Sequence, residues 1–264
     1  MVLGCSLKEL CPLPEEICYK YPEYMAKGKP RGCLYMHTLL TLAKLEHILP
    51  RYLQSLTRII SRIALIQIEP RTVANLLKIL VILHDYGKAA EAYINTRHYY
   101  HEVLSGYVMY NVILQYLQRL HIQKDKEVAA VFSLATFLHH EHRIARVTRI
   151  VKKGHYLSKS VIEKVYKTTS VSKEANKAFE TIIHKYVKQP LGIPKCEYPR
   201  HEIKDFYKYT LLQILASIST PRLFLSTTAL NHILVITDIR AANQTRDKTR
   251  ISKYFGTILK KGRN

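Results

Sequence analysis

Residues 76–88 read LLKILVILHDYGK, an apolar run that passes abruptly into an imidazole, a carboxylate, a phenol, a glycine and an ammonium. From Val73 to His84 the apolar positions are too dense for an alternating strand and too long for a buried one, so they predict a helix packed on most of its surface. An ionised Asp85 at the end of such a run costs several kcal/mol unless a cation or strong donors compensate it. A bound metal is the most economical compensation. Gly87 lets the chain turn immediately afterwards, and Lys88 lies close enough in sequence to reach the same face and meet an anion. Taken alone, the string is equally compatible with a helix C-terminus closed by an Asp85–Lys88 ion pair.

Other segments repeat the pattern of apolar helix followed by ligand-type side chains. Asp is scarce, five in the chain, and a second one, Asp238, ends the run LNHILVIT. His139 and His140 follow AAVFSLATFL, His101 opens HEVLSGY on a long predicted helix from Tyr99 to Leu120, and His37 stands in LYMHTLL at the start of another. Neutral imidazoles mixed with carboxylates suit Mn, Fe, Ni, Co or Zn better than Ca, and mixed nitrogen and oxygen sets suit catalysis. His47 competes with His37, His98 with His101, and Asp205 with Asp238, although Lys204 and Lys208 beside Asp205 favour a surface place for it.

Outward from these segments the chain is dominated by helical periodicity. Leu34 to Leu49 and Ile59 to Ile66 read as two helices separated by Pro50, and Val128 to His139, Phe206 to Ile218 and Leu223 to Ala242 as further ones. Nine Gly in 264 residues is about half of average usage, which speaks against a fold of many tight turns. Residues 1–33 hold four of the five Cys and lack periodicity, so they read as an irregular N-terminal arm before a domain over 34–264. Within that domain, Arg143 to Lys188 carries 12 Lys+Arg against 3 Glu and reads as a basic insertion, about 143–200, or a loosely packed helical subdomain, with a turn or linker at Pro190 to Pro194.

The formal charge is 41 − 20 = +21. Self-repulsion of that size calls for an explanation: nucleic acid is the commonest polyanionic partner, and an anionic membrane surface or generic solubility is the alternative. Arg143, Arg146 and Arg149, extended by Lys152 and Lys153, follow the His-His pair and suit a phosphate track. Tyr156, Tyr166 and Tyr186 lie among the basic residues as stacking candidates. With no apolar stretch of signal-peptide or membrane-span length, no C-x-x-C pair and an odd cysteine count, a soluble, reducing, cytoplasmic setting is expected.

His37, His84-Asp85 with Lys88, His101, His139-His140 and Asp238 resemble, in order and helical setting, the HD-domain metal phosphohydrolases. Within that superfamily, H-x-x-x-S at His101 to Ser105 and the His-His pair resemble the Cas3″ HD nucleases of CRISPR interference, whose helicase is a separate polypeptide. No G-x-x-x-x-G-K-[ST] loop occurs in the 264 residues. The resemblance implies an all-α helical bundle and metal-dependent hydrolysis of DNA, chiefly single strands, in antiviral defence. It implies one or two divalent ions (Mn, Mg, Ni, Co or Fe). In a two-ion arrangement Asp85 bridges, with His84, Asp238 and His37 on one side, His101, His139 and His140 on the other, and Lys88 stabilising charge on the phosphoryl group. The implied partners are a separate Cas3 helicase and an RNA-guided surveillance complex. Hydrolysis of free or signalling nucleotides and non-catalytic nucleic-acid binding are the competing functions.

Overall fold

The structure is a computed structural model that describes residues 34–96, 100–139 and 168–245. The N-terminal arm, His98, His140, His142, Arg143, Arg146, Arg149, Lys152, Lys153, Tyr156, Tyr166 and the basic tail lie outside the described residues.

The first helix, α1 (Leu34–Ala64), is continuous through Pro50. Two helices were expected there. Proline in a helix interior costs about 3 kcal/mol, but Leu42, Leu45 and Ile48 before it and Leu56, Ile60 and Ile63 after it are all buried. Burial of about 1.5–3 kcal/mol for each large apolar side chain outweighs one lost hydrogen bond. Helix α2 (Pro70–Leu83) starts with Pro in its first turn, where no amide partner is needed. Every residue from Ile79 to Leu83 is buried, because α2 is flanked by α1, by α4 (His101–Arg119) and by α6 (Lys173–Val187). Between α2 and α4 come a 3₁₀ turn, Tyr86–Ala89, and α3 (Glu91–Thr96). Helix α5 (Asp125–Phe137) lies along α4, and α9 (Thr220–Thr245) crosses α1 and α5.

The described part of the basic stretch carries a helix, α6, with one face in the core. Ser172 caps α6 by accepting from the Ala175 amide at 3.1 Å. Ala175, Ala178, Phe179, Ile182 and Ile183 form one buried stripe on α6, while Lys173, Lys177 and Lys185 stay exposed. High charge and an apolar stripe coexist on opposite faces of one amphipathic helix. The Pro190–Pro194 turn is pinned by Arg119 Nη1 donating to the Pro190 carbonyl at 2.8 Å, Gln115 to Gly192 at 3.2 Å, and the Ile193 amide to Glu180 at 2.7 Å. Two-residue strands β1 (Thr169–Ser170) and β2 (Glu197–Tyr198) pair antiparallel, Thr169 with Tyr198. They are the only strands among the described residues, and the fold is all-α as expected.

Helix α7 (Arg200–Asp205) continues through a π-helical segment, Phe206–Leu211, into α8 (Leu212–Ser217). There the adjacent Phe206 and Tyr207 both turn inward, and the Tyr207 hydroxyl donates to the Val103 carbonyl of α4 at 2.8 Å.

Tyr86, immediately after Asp85, anchors the 3₁₀ turn to α6 and β2. Its buried hydroxyl donates to Asn176 Oδ1 at 2.5 Å and lies 2.9 Å from the Tyr198 hydroxyl. A Tyr86→Phe substitution leaves Asn176 Oδ1 without its donor, at a cost of about 1–3 kcal/mol. The expected result is a melting temperature lower by several degrees in a thermal scan; an unchanged value would mean that this network does not hold the turn in place.

Candidate metal centre

Four helix ends, one 3₁₀ turn and one helix face bring the predicted side chains together. His37 is in the first turn of α1, His84 is the C-cap of α2, and Asp85 precedes the 3₁₀ turn that carries Lys88. His101 is the first residue of α4, His139 follows the C-cap of α5, and Asp238 lies in the second half of α9. All are buried except Lys88 and the half-exposed Asp238. The rivals with described surroundings are elsewhere: His47 and Asp205 are exposed.

The two oxygens of Asp85 face different groups. Oδ2 lies 2.5 Å from Lys88 Nζ, 3.4 Å from His84 Nε2 and 3.7 Å from His37 Nε2. Oδ1 lies 3.1 Å from His101 Nε2 and 3.7 Å from His139 Nε2. Asp238 Oδ1 is 2.8 Å from His37 Nε2 and 3.8 Å from His84 Nε2. One set of donor atoms is therefore His37, His84, Asp85 and Asp238, and a second is Asp85, His101 and His139, each within 4.8 Å. Asp85 belongs to both.

The tautomers show what this arrangement needs. His84 Nδ1 lies 2.7 Å from the Val81 carbonyl and His139 Nδ1 2.6 Å from the Thr136 carbonyl. A carbonyl only accepts, so both Nδ1 atoms carry protons, and in the neutral ring Nε2 presents a lone pair. Those lone pairs point at carboxylate oxygens, and His84 Nε2 is buried without a hydrogen bond. Lone pairs of imidazole and carboxylate repel unless a proton or a metal ion stands between them, and a backbone carbonyl behind the ring is a common orienting partner of a metal-bound histidine. The residues fit a divalent metal.

The charges of the metal-free cluster follow from the same contacts. Burial raises the Asp85 carboxyl, but Lys88 and His84, with His101 and His139, hold it well below the usual carboxylate range. Burial acts likewise on Asp238, and His37 and His84 hold it well below that range. Burial lowers the His84 ring, yet Asp85 and Asp238 raise it overall. For His101, burial outweighs the attraction of Asp85 and the ring is lowered, which favours the neutral ligand form. Lys88, pushed down by burial, is raised by Asp85 and Asp238 and stays an ammonium.

A scan against family models matches residues 25–190 to the HD domain of Cas3. The chain belongs to the Cas3 HD family. Two relatives are CRISPR-associated endonucleases Cas3-HD. The one from Methanocaldococcus jannaschii is 30% identical over 155 residues, 56% of this chain and 59% of that protein. The one from Pyrococcus furiosus is 26% identical over 174 residues, 63% and 69%. A solved CRISPR-associated Cas3 HD-domain protein from M. jannaschii shares the fold with a TM-score of 0.56 at 21% identity, covering 76% of this chain and 92% of that one. The Cas3 HD match ends at residue 190, so it includes α6 and leaves Asp238 beyond it.

The candidate centre also involves groups to which sequence reading gave no role. Ser105 Oγ accepts from the Gly87 amide at 2.9 Å and ties the 3₁₀ turn to α4. Its signal was its place one turn after His101. The Val81 and Thr136 carbonyls each lie three residues before their histidine, a spacing visible at both helix ends. Tyr93 packs its ring 5.3 Å from that of His101, and no pattern marks it.

Proposed function

We propose that the chain is a metal-dependent nuclease of a CRISPR system, cleaving DNA phosphodiesters chiefly in single strands. The observation that carries this reading is the sharing of Asp85 between two donor sets. His37, His84, Asp85 and Asp238 would hold one divalent ion, and Asp85, His101 and His139 a second, with His140 adjacent in sequence to complete it. Bound there, a divalent metal supplies Lewis acidity toward a phosphate oxygen and makes water more acidic near neutral pH. The Val81 and Thr136 carbonyls fix the rings of His84 and His139 in the ligand tautomer. Lys88, held as an ammonium beside Asp85, is placed to meet negative charge on a phosphoryl oxygen.

The charge of +21 supports a polymeric anion over a free nucleotide, which needs only a few basic contacts. Arg143, Arg146, Arg149, Lys152 and Lys153 are proposed contributors to that binding. A helicase and an RNA-guided complex are the proposed partners, since a nuclease of single strands needs duplex opened. Among the described residues no helix is long and apolar enough to cross a membrane.

Labelled single-stranded DNA, duplex DNA, RNA and nucleoside triphosphates, assayed in parallel before and after chelation, test the proposal. Single-stranded DNA is expected to be cut, cutting to stop on chelation, and Mn²⁺ or another transition ion to restore it. Cleavage by a verified metal-free sample, or hydrolysis of triphosphates alone, would overturn it.

A further inference from the structure

Helix α1 carries a second feature that the metal centre does not use. Counting from His37 in steps of seven, the positions are Lys44, Arg51 and Arg58. A seven-residue step drifts only about 20° around an α-helix, about 60° in all by Arg58, so these residues wind slowly away from the edge of α1 on which His37 meets the cluster. His37 is buried, Lys44 is half-buried, and Arg51 and Arg58 are exposed, so the row climbs out of the site onto the surface. His47 and Arg62 are exposed beside it on the same side. From His37 to Arg58 the rise is roughly 31 Å at 1.5 Å per residue.

Charge along this row is of one sign. The sole acid of α1, Glu46, falls about 180° from His37 on the wheel at 100° per residue. Among the described residues none of Lys44, Arg51 and Arg58 has a carboxylate partner. A solvated helix face that serves no partner ordinarily mixes both signs at i, i+4 spacing. A cationic row with no carboxylate partner among the described residues is electrostatically costly in a chain already at +21, and an anion laid along it removes that cost. Tyr52 lies next to the row, 5.8 Å from the Arg51 guanidinium and with its ring 6.4 Å from that of His232 on α9. It offers a flat surface beside the cations, the pairing that single-stranded nucleic acids use.

We propose that Lys44, Arg51 and Arg58 of α1 bind the phosphodiester backbone of a single-stranded nucleic acid and lead it to the metal centre at His37. This rests on the nuclease reading above. The row delivers a strand end-on to the cluster, whereas the sequence alone placed the phosphate track beyond His140.

The test is fluorescence anisotropy of a labelled oligothymidylate with the full chain over a salt series, comparing wild type with the combined variant Lys44→Ala, Arg51→Ala, Arg58→Ala. A second combined variant, Lys173→Ala, Lys177→Ala, Lys185→Ala, removes the same charge from α6. Loss of three phosphate contacts is expected to weaken binding more than about tenfold near 0.1 M salt and to flatten the log–log salt slope by about 2, at roughly 0.7 per single-strand contact. Metal content and melting temperature should match wild type, and the α6 variant should keep the wild-type slope. An unchanged slope in the α1 variant, or an equal change in both variants, would overturn the proposal. Hydrolysis of bis(p-nitrophenyl) phosphate by the wild-type chain tests the nuclease reading separately: slope loss without any hydrolysis would keep the track and discard the nuclease.

Discussion

Replacing Asp85 by Asn is expected to abolish DNA cleavage, by more than about a thousandfold, while the helical circular dichroism stays that of the wild type. The amide keeps the shape of the side chain and one oxygen acceptor, but it loses the charge that both donor sets share. A single stabilising donor at a reacting oxygen is worth about 10²–10³ in rate. Asp85 serves two sets and also holds Lys88 at 2.5 Å, so more than one contribution is lost together. Metal titration should show weakened binding at both sets at once, whereas His101→Ala should weaken the second set alone. Stability changes in the same experiment, with a defined sign. Because the folded-state carboxyl sits well below its ordinary value of 3.8, its ionised form stabilises the metal-free fold above that value. That contribution disappears as pH falls through the depressed folded value. The Asn variant should therefore melt lower than metal-free wild type near pH 7, and the gap should narrow toward acid. An Asn variant that cuts DNA at the wild-type rate would reduce Asp85 to a structural partner of Lys88.

Gly87→Ala should damage fold and site together. A Cβ built on Gly87 would stand 2.1 Å from the His101 carbonyl oxygen and 2.8 Å from its carbonyl carbon and Cα. Those are backbone atoms at the start of α4, and no rotamer change relieves the clash. Either the 3₁₀ turn or the end of α4 must move, and the first sits beside Asp85 while the second carries His101. The Gly87 amide to Ser105 hydrogen bond, 2.9 Å, would be broken by the same shift. Overpacking usually costs about 1–3 kcal/mol, and backbone contact places this case at or above the upper end. At about 2–4 °C per kcal/mol for a chain approaching this size, melting should fall by roughly 6–12 °C. Metal affinity should fall with it. Gly192→Ala is the control, since its Cβ would meet only Glu180 Oε1 at an ordinary 3.6 Å. Equal melting of the two variants would show that the close approach at Gly87 is not required.

Much of this was legible because ligand-type residues stand where apolar helices end. His84-Asp85 and His139 each follow a run that must be buried, so a reader of the sequence can place them at the rim of the core without a structure. The amphipathic stripes of α4, α5 and α9 likewise appear as helices from periodicity alone, within a few residues at each end. Local rules failed where distant packing outweighed them. Pro50 reads as a break, yet α1 runs through it because buried residues on both sides press on α2 and α9. Lysines at 173, 177 and 185 dominate the local composition, and only packing reveals that the opposite face of the same helix fills the core against α2.

By itself the sequence determined the all-α class, the ligand-type residues and the surplus of positive charge. Composition, periodicity and the ends of apolar runs are local properties that one chain displays in order. Tertiary structure alone decided which histidine and which aspartate meet, placing His37 and Asp238 2.8 Å apart across 201 positions of chain and leaving His47 and Asp205 in solvent. It also decided that the two oxygens of Asp85 face two different sets of nitrogens, and that two backbone carbonyls set the tautomers. Distances of that kind depend on how α1, α2, α4, α5 and α9 cross, and the crossing is set by the summed burial of side chains far apart in sequence.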